Sequence, residues 1–370
     1  VAKEKIMSLK VAVIGGGNGG FATASQMALA GHEVHLFELP DFSANIAELK
    51  ETPVIEVSGA LLTGEARLAG VSCDPADGFS DCEIVLVTTQ TLGHIPTARL
   101  IAHYVRLDQG IFLMPGTCGS VPFRQELDKA GAGGIVAECL SLPYACRKKG
   151  PRSVGISRST GTMGLAAFPS ERTGEALELF RKVYPGSFGM DNVLEVALCN
   201  ANILLHPLPT LLSLSRIEFS KGEFYVYNEA YTPSVERAIE ALDDEIRAIL
   251  RKVGFPAPSC KALFEKRYGG PWDEMRAWFR SIGSKGPSGA KARYITEDVP
   301  GGVVLVSSMG RHYGIPTPVA DAVISLAGAI NGTDYRAEGR TLEFLGLDGL
   351  GVDGLRAFLR TGKRPVSKGV

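Results

Sequence analysis

The stretch KVAVIGGGNGG, Lys10 to Gly20, decides the fold of the first half of this 370-residue chain. Val11 to Ile14 is a short continuous apolar run, as expected of a strand buried on both faces. It runs directly into Gly15, Gly17 and Gly20, and an alanine-rich helical segment, Phe21 to Ala30, follows. In such a G-x-G-x-x-G turn the first glycine makes the tight bend, and the second lets a pyrophosphate approach the backbone. The third lets helix and strand pack closely, so that the helix N-terminus faces the phosphates. Asn18, inside the turn, joins the three glycines as a cofactor-binding candidate.

Three spaced glycines say little unaided. With 44 glycines in the chain, random placement gives about 0.6 matches, so context decides. Gly349, Gly351 and Gly354 repeat the spacing, but they follow no convincing strand and leave no room for a βαβ unit. Around the first copy, Gly31 caps the helix and Glu33 to Phe37 reads as a second strand. Glu38 stands 21 residues after Gly17, where an acidic residue accepts hydrogen bonds from adenosine ribose hydroxyls. Between Glu38 and Lys50 there is no Lys or Arg to hold a 2′-phosphate, which favours NAD(H) over NADP(H). The bland alternative is a glycine-rich turn in a doubly wound domain that binds nothing.

Composition sets wide bounds. The length suits two domains, and 45% hydrophobic with 21% charged residues and a net charge of −1 is ordinary for a globular protein. No basic excess points to nucleic acid or an anionic membrane. No apolar run reaches a membrane span of about 18 residues, and Val1 to Ser8 carries no signal-peptide pattern. Seven scattered cysteines without a CxxC pair argue against a disulfide framework or zinc site and for a reducing cytoplasm. Six histidines form no HxxxH or HExxH cluster, so no metal is expected.

Along the chain, the segment from Glu38 to Leu49 reads as a helix. Val54–Val57 and Glu65–Val71 read as a hairpin inserted in the sheet. Glu83–Thr88, Gly110–Met114 and Gly134–Leu140 read as further buried strands, and Val154–Ser157 with Thr162–Phe168 close the domain beside a helix at Glu175–Val183. Ligands in such folds sit beyond the carboxyl ends of the strands. The loops at Thr88–Gln90, with Thr89, and at Pro115–Ser120, with Thr117, are therefore candidates for the nicotinamide end. Beyond about Met190 the period turns helical: Val193–Leu205, Ser234–Val253, Cys260–Tyr268, Trp272–Ile282, Val303–Tyr313 and Thr317–Ile330. Ser281 to Ala292 is the most loop-like stretch. The expected class is α/β: an N-terminal Rossmann-type doubly wound sheet over 1–190, then an all-helical domain over 191–370, with the active site at their cleft.

Hydride chemistry asks the protein to hold the cofactor, orient the acceptor carbon and handle one proton. His206 leads as the acid/base. It ends an apolar helix in NANILLHPLP, with Asn202 one turn earlier on the same face and Pro207 breaking the helix. The alternative is a core histidine bonded to a carbonyl. In Arg293-Tyr-Ile-Thr-Glu-Asp298-Val-Pro, Asp298 could hold an imidazole in one tautomer and Arg293 could fork onto a carboxylate. Thr296, Glu297 or Asp298 could equally cap a helix. The spacing does not require residues 206 and 298 to meet.

The chain resembles the opine dehydrogenases, the octopine and N-(1-carboxyethyl)norvaline type, along nearly its whole length. The matching stretches are VAVIGGGNGG, MPGTCGS, LPYACR, NANILLHPLPTLL, YTPSV (231–235), ARYITEDVPGGVV, YGIPTPVADAV and EGRTLEFLGL. HPLPTLL paired with RYITEDVP is far more specific than the glycine turn. The resemblance implies a Rossmann domain and a helical domain enclosing NADH, a 2-oxo acid and an amino acid, with secondary-amine dicarboxylates as products of reductive condensation. It implies that His206 is the catalytic histidine, Asp298 its acidic partner, Arg293 the grip on a substrate carboxylate, and Gly15, Gly17, Gly20 and Glu38 the cofactor positions. Glu138 and Cys146 fall near the amino-acid pocket. Octopine-type members place an acidic residue six before that Cys. Here position 140 is Leu, and Glu138 stands eight before Cys146, as in the norvaline type. That leaves apolar amino acids, or other amines, open as donors. A homodimer is carried as the assembly.

Two rivals stand beside this reading. A 2-oxo or hydroxy acid reductase of the ketopantoate reductase or glycerol-phosphate dehydrogenase type relies on a Lys in the helical domain, and Lys291 or Lys221 would have to serve. A nucleotide sensor would keep the cofactor fold without the second-domain acid/base pair.

Overall fold

The computed structural model describes residues 8–159, 162–281, 283 and 285–365. Residues 1–7, residue 282 at the end of one expected helix, and residue 284 of the expected loop lie outside the described residues. The chain divides into two units. The first comprises the residues up to Val196 together with Leu359–Gly362, and the second Ala197–Phe358 with the residues after Gly362.

In the first unit the strands are β1 (Lys10–Ile14), β2 (Glu33–Phe37), β3 (Val54–Ser58), β4 (Gly64–Arg67), β5 (Gly70–Ser72), β6 (Ile84–Val87), β7 (Gly110–Leu113), β8 (Ile135–Cys139), β9 (Tyr144–Gly150), β10 (Ser153–Ser159), β11 (Gly164–Phe168) and β12 (Phe188–Gly189). Eight of them form one sheet in the order β12-β11-β8-β7-β6-β1-β2-β5. It is parallel from β8 to β5, and β11 runs antiparallel to β8. The apolar runs explain the parallel part, because period-2 alternation sends side chains to two covered faces. Ala12, Ile14, Val85, Val87, Ile111 and Leu113 share one core with Ala98 and Ile101 of helix α2 (His94–Ile101) and Phe123 and Leu127 of α3 (Ser120–Lys129). The helix before them in the chain, α1 (Asn18–Leu29), packs on β1 and β2. Helix α4 (Thr173–Arg181) packs on β11.

The structure departs from the sequence expectation in this unit. The hairpin at residues 54–71 is not inserted in the main sheet. Its strands β3 and β4 belong to a separate four-stranded sheet, β4-β3-β10-β9, which packs over α1, and only β5 joins the main sheet. Strand β10 likewise leaves the main sheet and pairs in parallel with β3 and antiparallel with β9. Strand β9 was not expected at all, because its YACRKKG sequence is charged rather than apolar. Finally, the helix expected from Glu38 to Leu49 is a 3-10 turn at Pro40–Ile46 and a short α-helix at Ala47–Glu51.

The second unit is helical. Its helices include α5 (Asn202–Leu205), α6 (Pro207–Leu212), α7 (Pro233–Lys252), α8 (Cys260–Tyr268), α9 (Trp272–Ser281), α10 (Arg293–Thr296), α11 (Val304–Tyr313) and α12 (Pro318–Asn331). The expected single helix over 193–205 is split, since Val193–Leu198 and α5 are separated by residues 199–201. Helix α7 organises the unit. Pro233 at its first position suits the helical φ, and Ile239, Leu242, Ile246, Ile249 and Leu250 form one apolar stripe that packs against α6, α11 and α12. Burying those five side chains contributes on the order of 10 kcal/mol before conformational entropy is counted. From the same stripe, buried Glu245 accepts the Val319 and Ala320 N–H groups at 2.7 and 3.0 Å, fixing the start of α12 on α7.

Candidate active site

In the first unit, Gly15 follows β1 at the point where the strand order reverses between β1 and β6. It adopts φ +118°, a conformation open to glycine. A Cβ on Gly20 would lie 1.6 Å from the Gly15 carbonyl oxygen, so the helix can start this close only without a side chain there. A Cβ on Gly17 would meet nothing within 4 Å, leaving the backbone open on the side where a pyrophosphate approaches. Glu38, at the end of β2, is 4% exposed. Its Oε2 accepts the Gly16 N–H at 2.7 Å and the Asn45 Nδ2–H at 3.0 Å, and its Oε1 accepts the Leu39 N–H at 2.8 Å. A carboxylate has about four acceptor sites, so these three bonds orient the group and leave it able to take a ribose hydroxyl. The residues present fit a dinucleotide.

Asn18 opens α1. Its Oδ1 accepts the Lys148 N–H at 2.8 Å, and its carbonyl accepts the Cys146 thiol at 3.3 Å. Thus Cys146, placed by resemblance near an amino-acid pocket, lies on β9 against the glycine turn. Thr89 follows β6, with its backbone N 3.3 Å from where a Gly15 Cβ would stand and its hydroxyl 3.5 Å from that of Thr97.

The loop after β7 bends through Thr117 and Cys118, both left-handed at φ 49° and 60°. For non-glycine residues this is strained backbone. Glu138 holds the bend. Fully buried on β8, it accepts the Cys118 N–H at 2.8 Å, the Ser120 N–H at 3.1 Å and the Ser120 hydroxyl at 2.6 Å. Its charge also sits at the N-terminus of α3, where it is favourable.

In the second unit, His206 joins α5 to α6. Pro207 has no N–H to continue the helical ladder, and the His206 backbone turns to φ −106° and ψ −60°. Its Nδ1 lies 2.8 Å from Asp298 Oδ2, and both side chains are buried. Tyr294 of α10 stacks on the imidazole at a centroid distance of 3.9 Å and an interplanar angle of 7°. The ring is therefore fixed in position by its face and in orientation by its Nδ1 bond. The Nδ1 contact makes Nε2 the nitrogen available for proton transfer. Arg293 puts its Nη1 3.2 Å from Glu297 with its side chain 48% exposed. Burial opposes its charge, but the Glu297 and Asp298 carboxylates outweigh that and raise its pKa.

Beside Leu205, the residue before His206, Tyr227, Tyr231, Phe264, Trp272 and Phe279 line a pocket edged by Arg276 and Arg280. The Tyr231 hydroxyl donates to the Leu205 carbonyl at 2.6 Å, tying the pocket wall to α5. Arg276 pairs with Glu236 at 2.5 Å, and Arg280 donates to the Tyr227 and Tyr231 carbonyls. Among the described residues no group of three or more His, Cys, Asp and Glu side chains is placed to hold a metal ion. No described helix is long and apolar enough to cross a membrane.

Residues 189–331 match the family model described as NAD/NADP octopine/nopaline dehydrogenase, alpha-helical domain. An opine dehydrogenase of Arthrobacter sp. strain 1C is 35% identical over 358 residues, covering 95% of this chain and 99% of that protein. This chain belongs to the opine dehydrogenase family. A vitopine synthase of Allorhizobium ampelinum is 23% identical, covering 92% of this chain and 96% of that protein. Among solved structures, an octopine dehydrogenase with NADH and L-arginine matches with a TM-score of 0.76 and 18% identity, over 97% of this chain and 99% of that one. That likeness shows a shared fold between this chain and the solved octopine dehydrogenase.

Asn45, Lys148 and Tyr294 touch the site residues without having been singled out in the sequence. Tyr294 had one signal, its place between Arg293 and Asp298. Asn45 lay in a segment read as plain helix. Lys148 had none, because the strand that carries it looks like surface.

Proposed function

We propose that His206 and Asp298 are the acid/base pair for reductive condensation of a 2-oxo acid, such as pyruvate, with the amino group of an amino acid or amine, and for the reverse oxidation. The enzyme is an NAD(H)-dependent dehydrogenase acting on a CH–NH bond, as its family membership establishes. The single observation that carries the assignment of roles is the buried 2.8 Å contact between His206 Nδ1 and Asp298 Oδ2. A carboxylate there holds one tautomer and stabilises the imidazolium that forms when the ring takes a proton.

The amine nitrogen attacks the 2-oxo carbon, and His206 Nε2 takes the proton that the nitrogen sheds. His206 returns that proton to the former carbonyl oxygen, giving the carbinolamine, and then relays the nitrogen's second proton to the hydroxyl, which leaves as water and gives the imine. NADH, when bound, would supply the hydride to the imine carbon, and His206, reprotonated from solvent, gives the imine nitrogen the balancing proton. Arg293 grips a substrate carboxylate with its remaining guanidinium donors, of which it has five in all. Gly15, Gly17, Asn18, Gly20, Glu38 and Thr89 hold the dinucleotide. Thr117 and Glu138 complete the substrate end, Glu138 by way of the loop it anchors; Cys146, which the resemblance put near the amino-acid pocket, has its thiol on the Asn18 carbonyl at the glycine turn. The aromatic walls beside Leu205 support a donor with an apolar side chain. A cytoplasmic location and a homodimer go with this reading; the seven cysteines, none of them in a disulfide, support the first.

The rival reductase is less well supported, because Lys221 and Lys291 are both exposed. The test is NADH oxidation with pyruvate, with and without a panel of amino acids. We expect turnover only when an amine is present, fastest with apolar donors, and a His206→Ala rate roughly 10²–10⁴-fold lower. Oxidation driven by the keto acid alone would favour the reductase, and unimpaired turnover in His206→Ala would remove that residue from its role.

A further inference from the structure

Arg147, Lys148 and Lys149 are three consecutive cations on β9, and the pleat separates them. Arg147 and Lys149 are exposed, and the Lys149 amine reaches Ser58 of β3. The middle one turns the other way. Lys148 Nζ donates to the Gly16 carbonyl at 3.2 Å and to the Asn45 carbonyl at 2.8 Å, and lies 3.9 Å from the centroid of the Phe21 ring. Its backbone N–H holds Asn18. One residue of the second sheet thus grasps the glycine turn at two points and joins it to Asn45, whose side chain holds Glu38.

An ammonium has three N–H donors, and the two carbonyls take two. A half-buried amine is costly to remove from water, and burial lowers the Lys148 pKa while Glu38 and Glu48 work against that. A structural strap between two carbonyls needs donors but not a charge. Here the charge stands at the Gly16 carbonyl, one residue before Gly17, whose open backbone is where a pyrophosphate approaches.

We propose that Lys148 is a cofactor-positioning residue, which braces the glycine turn against Asn45 and places a fixed positive charge beside the bound dinucleotide's phosphates. This rests on the NAD(H) reading of the turn. It adds a determinant of cofactor affinity that comes from the second sheet, outside the βαβ unit that carries the glycines.

The test measures dissociation constants for NADH by fluorescence, and for ADP-ribose and adenosine by competition, at low and high salt. It uses wild type, Lys148→Gln, which keeps donors without charge, and Lys148→Arg, which keeps the charge. We expect Lys148→Gln to weaken NADH and ADP-ribose about tenfold at low salt, less at high salt, with adenosine changed less than about twofold. Lys148→Arg should recover most of the loss, and it carries the comparison if the Gln protein does not fold. ADP-ribose affinity independent of the charge, or equal losses for ADP-ribose and adenosine, would overturn the proposal while leaving the NAD(H) reading intact. Wild type failing to bind NADH would overturn both.

Discussion

Glu138 and Asp298 are both buried carboxylates, 0% and 6% exposed, one in each unit. Glu138 accepts two backbone N–H groups and a serine hydroxyl, contacts that hold a loop. Asp298 meets the imidazole of His206, a group whose chemistry is to take and give a proton. The first arrangement can fix a backbone and the second can manage a proton. Burial alone does not distinguish the two, whereas the chemistry of the partner does.

Three substitutions bear on that contrast. The largest effect is expected of Asp298→Asn, which can keep a contact to His206 but loses the charge and presents a donor to the ring. We expect the maximal rate to fall roughly 10²-fold or more, with the folded state retained. A wild-type rate would make Asp298 a second Glu138. Next is Glu138→Gln, which replaces an acceptor of charge-assisted bonds by a neutral amide. We expect about 2 kcal/mol of lost stability, read as an earlier midpoint in urea. A raised KM for the amine at unchanged stability would instead tie Glu138 directly to substrate. The smallest is Tyr294→Leu, which removes the ring stacked on His206. Such a contact is worth about 1 kcal/mol, so kcat/KM should fall about fivefold, and no change would show that the Asp298 bond alone suffices to hold the imidazole.

The legible parts of the sequence were those set by local rules. The apolar runs at Val11–Ile14 and Ile84–Val87 are strands in the main sheet because both faces are covered, and the 20-residue stripe of α7 starts at its proline. The repeat at Gly349, Gly351 and Gly354 follows turns, with no strand before it among the described residues of the second unit. What stayed hidden depends on pairing between distant segments. The same alternating pattern at Val54–Val57 serves either sheet, since alternation specifies one covered face but not which neighbour covers it. The charged residues of β9 disguise a strand whose inner face is satisfied by carbonyls rather than by apolar packing. The meeting of His206 with Asp298 spans 92 positions, and only the family resemblance anticipated it.

The bond from Lys148 to Asn18 has a consequence for how the protein comes into being. Its ends lie 130 residues apart, so chain entropy delays this closure until much of the intervening chain has been ordered. During synthesis the first strand and helix emerge early, whereas β10, which flanks β9, is complete only at Ser159. A nascent chain stopped before Lys148 would carry all three glycines and Glu38 yet lack the brace. Gain of NADH affinity along a series of lengthening nascent chains would therefore mark completion of the second sheet rather than appearance of the glycine turn.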